Sequence, residues 1–378
     1  MEPRRYSGNS HWYHETQASV RAEPTPPLYP EAADIDDRFL LGLQQNDSIL
    51  TPLFQRFRDV VQAGQTLSLL LFPDSVTPTL THTLTLYDRL AIALTVAQMT
   101  GIQRLCNHYA ARLNPLPGPD SSRESNNRLT QVTQYARQLA SQPSVIDAAA
   151  LQRLDEVGLT TPDIISLSQM IGFVSYQARV VAGLQALLGT PVCWLPGLNE
   201  SVDAPSHTFL PTTEYRFRLP PLEPRYASEQ QLAAAEAGQA LPELSEIVWL
   251  LAHDAPALHA RSNLQNVQPL AIEQSTLAQA VTARINGSAL CFKRYQGQFS
   301  TVLQKGIDEA LTACRREPLS HGIVQLAAQL TRAPDRLSAA HLQPLLTQGV
   351  THQQLFGLIQ QIALTNWDNR LLQALGEH

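Results

Sequence analysis

Cys291 is the residue of this sequence best placed for covalent chemistry. Arg294 and Tyr295 follow it at i+3 and i+4, a spacing that sets side chains on one side of a helix. The attacking species is the thiolate, so a neighbouring guanidinium or phenol that stabilises the anion turns a cysteine into a nucleophile. A second reading stands beside this one: Cys291 precedes Phe292 on an apolar segment, where a cysteine serves as a small core hydrophobe. The other cysteines, Cys106, Cys193 and Cys314, fall at irregular spacing and give neither a disulfide framework nor a CxxC zinc site. Cys106 and His108 are two residues apart, so a helix sends them to opposite sides and they do not pair. His253, Asp254 and His259 flank Pro256 without further ligand types nearby. GxGxxG, Walker, HExxH and GxSxG patterns are absent.

The elements that must hold Cys291 are written twice. Leu151–Leu154, Gly158, Thr160, Ile164, Leu167, Gln169, Ile171, Arg179 and Leu184 recur as Leu342–Leu345, Gly349, Thr351, Leu355, Leu358, Gln360, Ile362, Arg370 and Leu375, at one constant offset of 191. Two copies this far apart predict tandem domains rather than a solenoid. Gly158 and Gly349 each end a helix in the left-handed conformation. Thr160 or Thr161 caps the next helix, with Pro162 in its first turn and Asp163 at its positive end. Thr351 and Gln354 have capping-box spacing. Apolar residues from Ile164 to Val181 recur every three or four positions, the stripe of a buried helix. Tyr87–Leu113 reads as one helix, followed by a polar loop over 114–127. Few β-branched alternations occur, so the fold class is all-α. The expected division is an N-terminal arm (1–36), a first helical domain (37–189), a Pro-rich linker (190–226) and a second helical domain (227–378). The linker holds seven prolines, and its aromatics, Trp194, Phe209, Tyr215 and Phe217, predict a strap packed on the domains rather than a free tether. His11, Trp12, Tyr13, His14 and Glu15 in the arm read either as a ligand clamp or as a docking surface for a neighbouring subunit.

Hydrophobic residues make up 44% and charged residues 16% of the chain, which describes a well-buried globular protein. The net charge of −6 argues against nucleic acid as a partner, because phosphate binding needs a basic face. No signal-peptide core or membrane-length apolar run is evident, so the expectation is a cytoplasmic protein with no membrane partner.

The run Ala280–Gly287 and the residues after it resemble the active-site segment of the alkyl hydroperoxidase D-like proteins of the carboxymuconolactone decarboxylase superfamily. There a glutamate precedes an Asn-Gly helix end, followed by Cys-x-x-Cys-x-x-x-His. Residues 342–376 resemble that family's closing helices, and the resemblance in layout covers most of the chain. It implies two tandem alkyl hydroperoxidase D-like domains. It also implies that a relay of glutamate and histidine deprotonates the second-slot thiol, which attacks peroxide and is resolved by the first-slot thiol. On this chain the glutamate slot falls on Thr276, the first cysteine slot on Ser288, the second on Cys291 and the histidine slot on Tyr295. One of the four catalytic positions is kept. Glu273 lies one turn before the glutamate slot and is also a natural helix-start acid. In the first copy, with Gly101 set against Gly287, the same slots fall on Ile102, Leu105 and Tyr109, which predicts a structural copy. Tyr109 and Tyr295 occupy equivalent slots, and each phenol can donate and accept a hydrogen bond.

The resemblance implies a peroxidase, a thiol-based oxidoreductase in which Cys291, Ser288, Tyr295 and Arg294 form the site. No metal or organic cofactor is called for. The partners would be a small-molecule peroxide and a thiol reductant, with Cys314, a small thiol or another protein resolving the oxidised Cys291. A homo-oligomer, dimer or trimer, with the arm reaching across, is the expected assembly. The alternative is a helical scaffold that has lost catalysis and binds a small molecule or protein, with Ser288, Cys291 and Tyr295 lining its pocket. A decarboxylase-type reaction would need an acid or base in that pocket, and the sequence supplies no evident one.

Overall fold

A computed structural model of the chain describes residues 30–32, 35–43, 49–192, 197, 200–210, 215–265 and 270–377. The arm's His11–Glu15 cluster, Cys193 and Trp194 lie outside the described residues. Two helices, α1 (Leu50–Arg56) and α2 (Arg58–Leu71), precede the first copy. Thr85 then opens α3 (Leu86–Thr100) with a capping box: its hydroxyl accepts from Asp88 N, while the Asp88 carboxylate accepts from Thr85 N. The Tyr87–Leu113 run, expected as one helix, is two. At Gly101 φ is 69°, in the left-handed region that favours glycine, so α3 stops there and α4 (Gln103–Leu113) begins after Ile102. The copy continues through α5 (Arg123–Ser141), α6 (Ala148–Glu156) and the long α7 (Thr161–Leu187).

Three helices, α8 (Glu229–Gln239), α9 (Val248–Leu251) and α10 (Ala255–Ser262), lead into the second copy. There α11 (Ile272–Asn286) stops at Gly287, φ 82°, and α12 (Ala289–Arg294) follows. In place of the first copy's polar loop stand α13 (Ser300–Lys305) and α14 (Ile307–Ala313). After them come α15 (Pro318–Arg332), α16 (Ala339–Thr347) and α17 (His352–Leu375). The expected punctuation is present in both copies. Gly158 and Gly349 each have φ 84°, and Thr160–Asp163 and Thr351–Gln354 form capping boxes at the starts of α7 and α17. The only sheet among the described residues pairs Arg216–Phe217 with Gly376–Glu377. The protein is all-α.

The two copies meet face to face through α7 and α17, which are buried nearly all round, as helices at the centre of a helical protein must be. The contact is reciprocal. Tyr176 Oη donates to Gln360 Oε1 at 2.6 Å, and Trp367 Nε1 donates to Gln169 Oε1 at 3.1 Å. Arg179 Nη2 donates to the Thr331 carbonyl at 2.8 Å, and Arg370 Nη2 to the Ala140 carbonyl at 2.7 Å. Every one of these pairs maps onto the other at the offset of 191, so residue i meets j where j's counterpart meets i's. That is the signature of a twofold interface, here inside one chain.

At its centre Trp367 packs on Phe173 and Tyr176, with ring centroids 5.8 Å apart in both cases. Gly172 makes room for the indole: a Cβ added there would run into the Trp367 ring. Gly172→Ala is therefore expected to destabilise the protein by about 1–3 kcal/mol through overpacking, despite alanine's better helix propensity. Urea denaturation checks this.

No single helix among the described residues is long and apolar enough to cross a membrane. One bent pair, α6 with α7, passes by length and composition.

Candidate functional site

Cys291 sits in the short α12, behind the left-handed turn at Gly287. The strap and a ladder of amides hold that turn. Ala204 N donates to the Ile285 carbonyl, and Phe209 packs edge-on against Phe292 with centroids 4.9 Å apart. Asn286 Nδ2 donates to Asn366 Oδ1 at 3.0 Å and to Asn369 Oδ1 at 3.1 Å, tying α11 to the middle of α17. Gln373 Nε2 reaches the Gly287 carbonyl itself. The predicted packing of the strap is thus seen at Phe209, and Phe217 remains exposed.

The structure brings Ser288, Cys291 and Tyr295 together and surrounds them with residues the sequence reading did not select. Cys291 is fully buried, and burial pushes its thiol up to about 12, against the opposing effects of the Ser288 hydroxyl, Arg294 and the Asn369 amide. Ser288 Oγ and Asn369 Nδ2 are buried with no partner other than the Cys291 thiol beside them, and Tyr295 Oη is buried without a hydrogen-bond partner. Burial also raises Tyr295, helped by the nearby Cys291 and Asp368. Arg294 is half-buried and faces Glu246 at 3.9 Å, so the guanidinium expected to stabilise the thiolate is shared with a carboxylate. Asp368 is a buried acid whose charge acts on both Cys291 and Tyr295. Burial raises its carboxyl to about 6, although the Arg261 guanidinium bonded to it acts the other way. Arg261 is itself fully buried and lies over the Trp367 ring at 4.8 Å. Asp368 comes from α17, far along the chain from the motif segment, and lines none of the described grooves.

The first copy shows what the same positions look like without a site. Ile102 and Leu105 stand where the second copy has Ser288 and Cys291, and Gln177 and Ala178 stand where it has Asp368 and Asn369. Tyr109 Oη donates to Gln177 Oε1 at 2.7 Å, and Gln177 Nε2 is bonded to the carbonyls of Arg38 and Phe39. Its phenol is therefore satisfied, where that of Tyr295 is not. His108 Nδ1 lies 3.1 Å from the Glu31 carbonyl rather than on Cys106, whose thiol burial pushes up to about 11. Changing Ile, Leu and Ala to Ser, Cys and Asn adds three polar groups to the core, and the change from Gln to Asp exchanges a neutral amide for a carboxyl.

Outside Tyr295 lies a groove of about 540 Å³, lined by Thr276, Leu277, Phe299, Leu303 and the carboxylates of Glu273 and Glu317. Glu273 is exposed in the first turn of α11 and reaches this groove rather than the thiol. Cys291 does not line it, and Tyr295 forms the wall between them. Cys314 is buried at the end of α14, where its Sγ contacts the Leu311 carbonyl, and it is not among the groups acting on the Cys291 thiol. Among the described residues no group of three or more His, Cys, Asp or Glu is arranged to hold a metal ion.

Neither protein-family models nor curated proteins give a match to this chain.

Proposed function

We propose that the second copy is a thiol-based oxidoreductase centre of the alkyl hydroperoxidase D-like type, reducing a peroxide through Cys291. The observation that carries this reading is the contrast between the copies. At equivalent places one has a closed, hydrogen-bonded core. The other has a thiol flanked by Ser288 and Asn369, a buried Tyr295 phenol without a partner, and an acid raised to about 6. Each buried polar atom left unpaired costs about 1–3 kcal/mol, and perturbed acids gather where chemistry is done. In the proposed step the Cys291 thiolate attacks the terminal peroxide oxygen. The S–O bond forms as the O–O bond breaks, giving a sulfenic acid and an alcohol or water, with the thiol proton ending on the departing oxygen. An external thiol then condenses with the sulfenic acid, releasing water. A second thiol restores Cys291 and leaves as a disulfide.

A second reading is favoured by one specific observation, the sealed thiol. At pH 7 a group with pKa about 12 is only about one part in 10⁵ ionised, so the closed state is not nucleophilic. On this reading the chain is a scaffold that has lost catalysis and binds a small molecule or a protein. Exposure to hydrogen peroxide and cumene hydroperoxide, with dimedone trapping and mass spectrometry, separates the two. The oxidoreductase reading expects a sulfenic-acid adduct at Cys291 and loss of peroxide consumption in Cys291→Ser. An unlabelled Cys291, with consumption unchanged in that variant, leaves the scaffold reading. We further propose that the protein is cytoplasmic and forms a dimer or trimer.

A further inference from the structure

Resting on the oxidoreductase reading, which needs a route to a sealed thiol, we infer that residues 200–210 of the strap are a gate. Released from the Asp203–Arg332 ion pair, they lift off α12 and let Cys291 meet solvent and substrate. Cys291 is fully buried and lines none of the described grooves, so a reagent reaches it only if an element moves. Two of its neighbours, α11 and α17, are long buried helices packed along each other, and parting them would unfold the second copy. The helix that carries the thiol is different. It has six residues, starts behind the left-handed Gly287 and has its outer side covered by the strap. Phe209 lies on Phe292, and a Cβ on Gly287 would run into Ala204.

The strap is held mainly by side chains. Between 200 and 210 the one regular element is the short 3-10 turn Ser206–Phe209, and the buried residues are Ala204 and Phe209. Asp203 accepts from Arg332 Nε at 2.7 Å and from Nη2 at 2.6 Å, and Glu200 accepts from Arg336 Nη1 at 2.6 Å. Arg284 Nη1 donates to the Ala204 carbonyl at 2.6 Å, and Gln304 Nε2 to the Phe209 carbonyl at 2.9 Å. The Asp203 and Arg332 side chains are about a quarter exposed, so water and salt compete for this pair directly. A segment with so little buried surface opens at a fraction of the cost of global unfolding.

The test is the rate at which N-ethylmaleimide alkylates Cys291 in the native protein, read by mass spectrometry at several low urea concentrations. Opening a gate exposes little surface and gives a rate with weak urea dependence, whereas global unfolding gives the full slope of the denaturation curve. Asp203→Asn is expected to raise the weakly urea-dependent rate about fivefold, the factor a well-formed, partly exposed ion pair contributes. High salt should raise the rate of the unsubstituted protein and leave that of Asp203→Asn nearly unchanged. Arg332→Gln should repeat the result from the other side of the pair. Alkylation that follows the full urea slope, or a rate that neither substitution alters, overturns the gate. No peroxide enters this experiment, so it is independent of turnover. If Cys291 is alkylated through the gate but never oxidised by peroxide, the oxidoreductase reading falls and the gate stands.

Discussion

Arg261→Met is expected to destabilise the protein by about 3–5 kcal/mol at pH 8 and by clearly less at pH 5. The substitution removes a buried cation from its carboxylate partner Asp368 and from the face of Trp367, leaving a buried charge uncompensated. The pH dependence follows from Asp368, whose carboxyl is raised in the fold from an ordinary value of 3.8 to about 6. A group raised in this way favours folding when protonated. Its contribution is complete below about pH 4 in the native protein and is lost as pH rises through 6, worth roughly 3 kcal/mol in all. Without Arg261 the carboxyl rises further, so the loss should extend to higher pH. Urea midpoints at several pH values measure this, and equal losses at pH 5 and pH 8 would contradict it.

Arg179→Met and Arg370→Met are each expected to cost about 3 kcal/mol, and together more than the sum, because each single substitution already relieves their mutual repulsion. Each guanidinium donates to a carbonyl of its own helix, at Ser175 or Asn366, and to one in the last turn of a helix in the other copy. Charge-assisted bonds of this kind contribute about 1.5–3 kcal/mol each, and the carbonyls they leave sit at the negative ends of α15 and α5. The two arginines also oppose one another: both are held down by burial, and Arg370 lowers Arg179 further. Removing one therefore relieves the other. A double-mutant cycle by chemical denaturation reads the coupling directly, and strict additivity would show that they act independently.

The constant offset of 191 residues, the paired Gly-Thr punctuation and the apolar stripes made the all-α architecture legible in the sequence, because capping and helical periodicity are local signals. The break at Gly101 was missed because the apolar pattern runs across it, and only the left-handed turn interrupts the helix. At the site, Ser288, Cys291 and Tyr295 were found because they lie within one helical span. Asp368, Asn369 and Arg261 were not, because two of them come from α17 and one from α10, and only tertiary packing joins them to Cys291. A signal for part of this existed. Asn366, Asp368, Asn369 and Arg370 fall within five residues of one helix, and Asp368 aligns with a neutral glutamine in the first copy. The burial of Cys291 had no sequence signature beyond its neighbour Phe292.

The reciprocal contact between α7 and α17 also changes what dilution does to the molecule. Two separate subunits would find each other only above some threshold of abundance. Covalently joined halves meet at a fixed, high local concentration at every expression level. Joining them also frees each from its twin: a substitution in a symmetric dimer strikes both sites at once, whereas here Tyr109 and Tyr295 can be altered one at a time. The chain is in effect an undissociable heterodimer, in which one half keeps an apolar core at the positions where the other buries Ser288, Cys291 and Asn369.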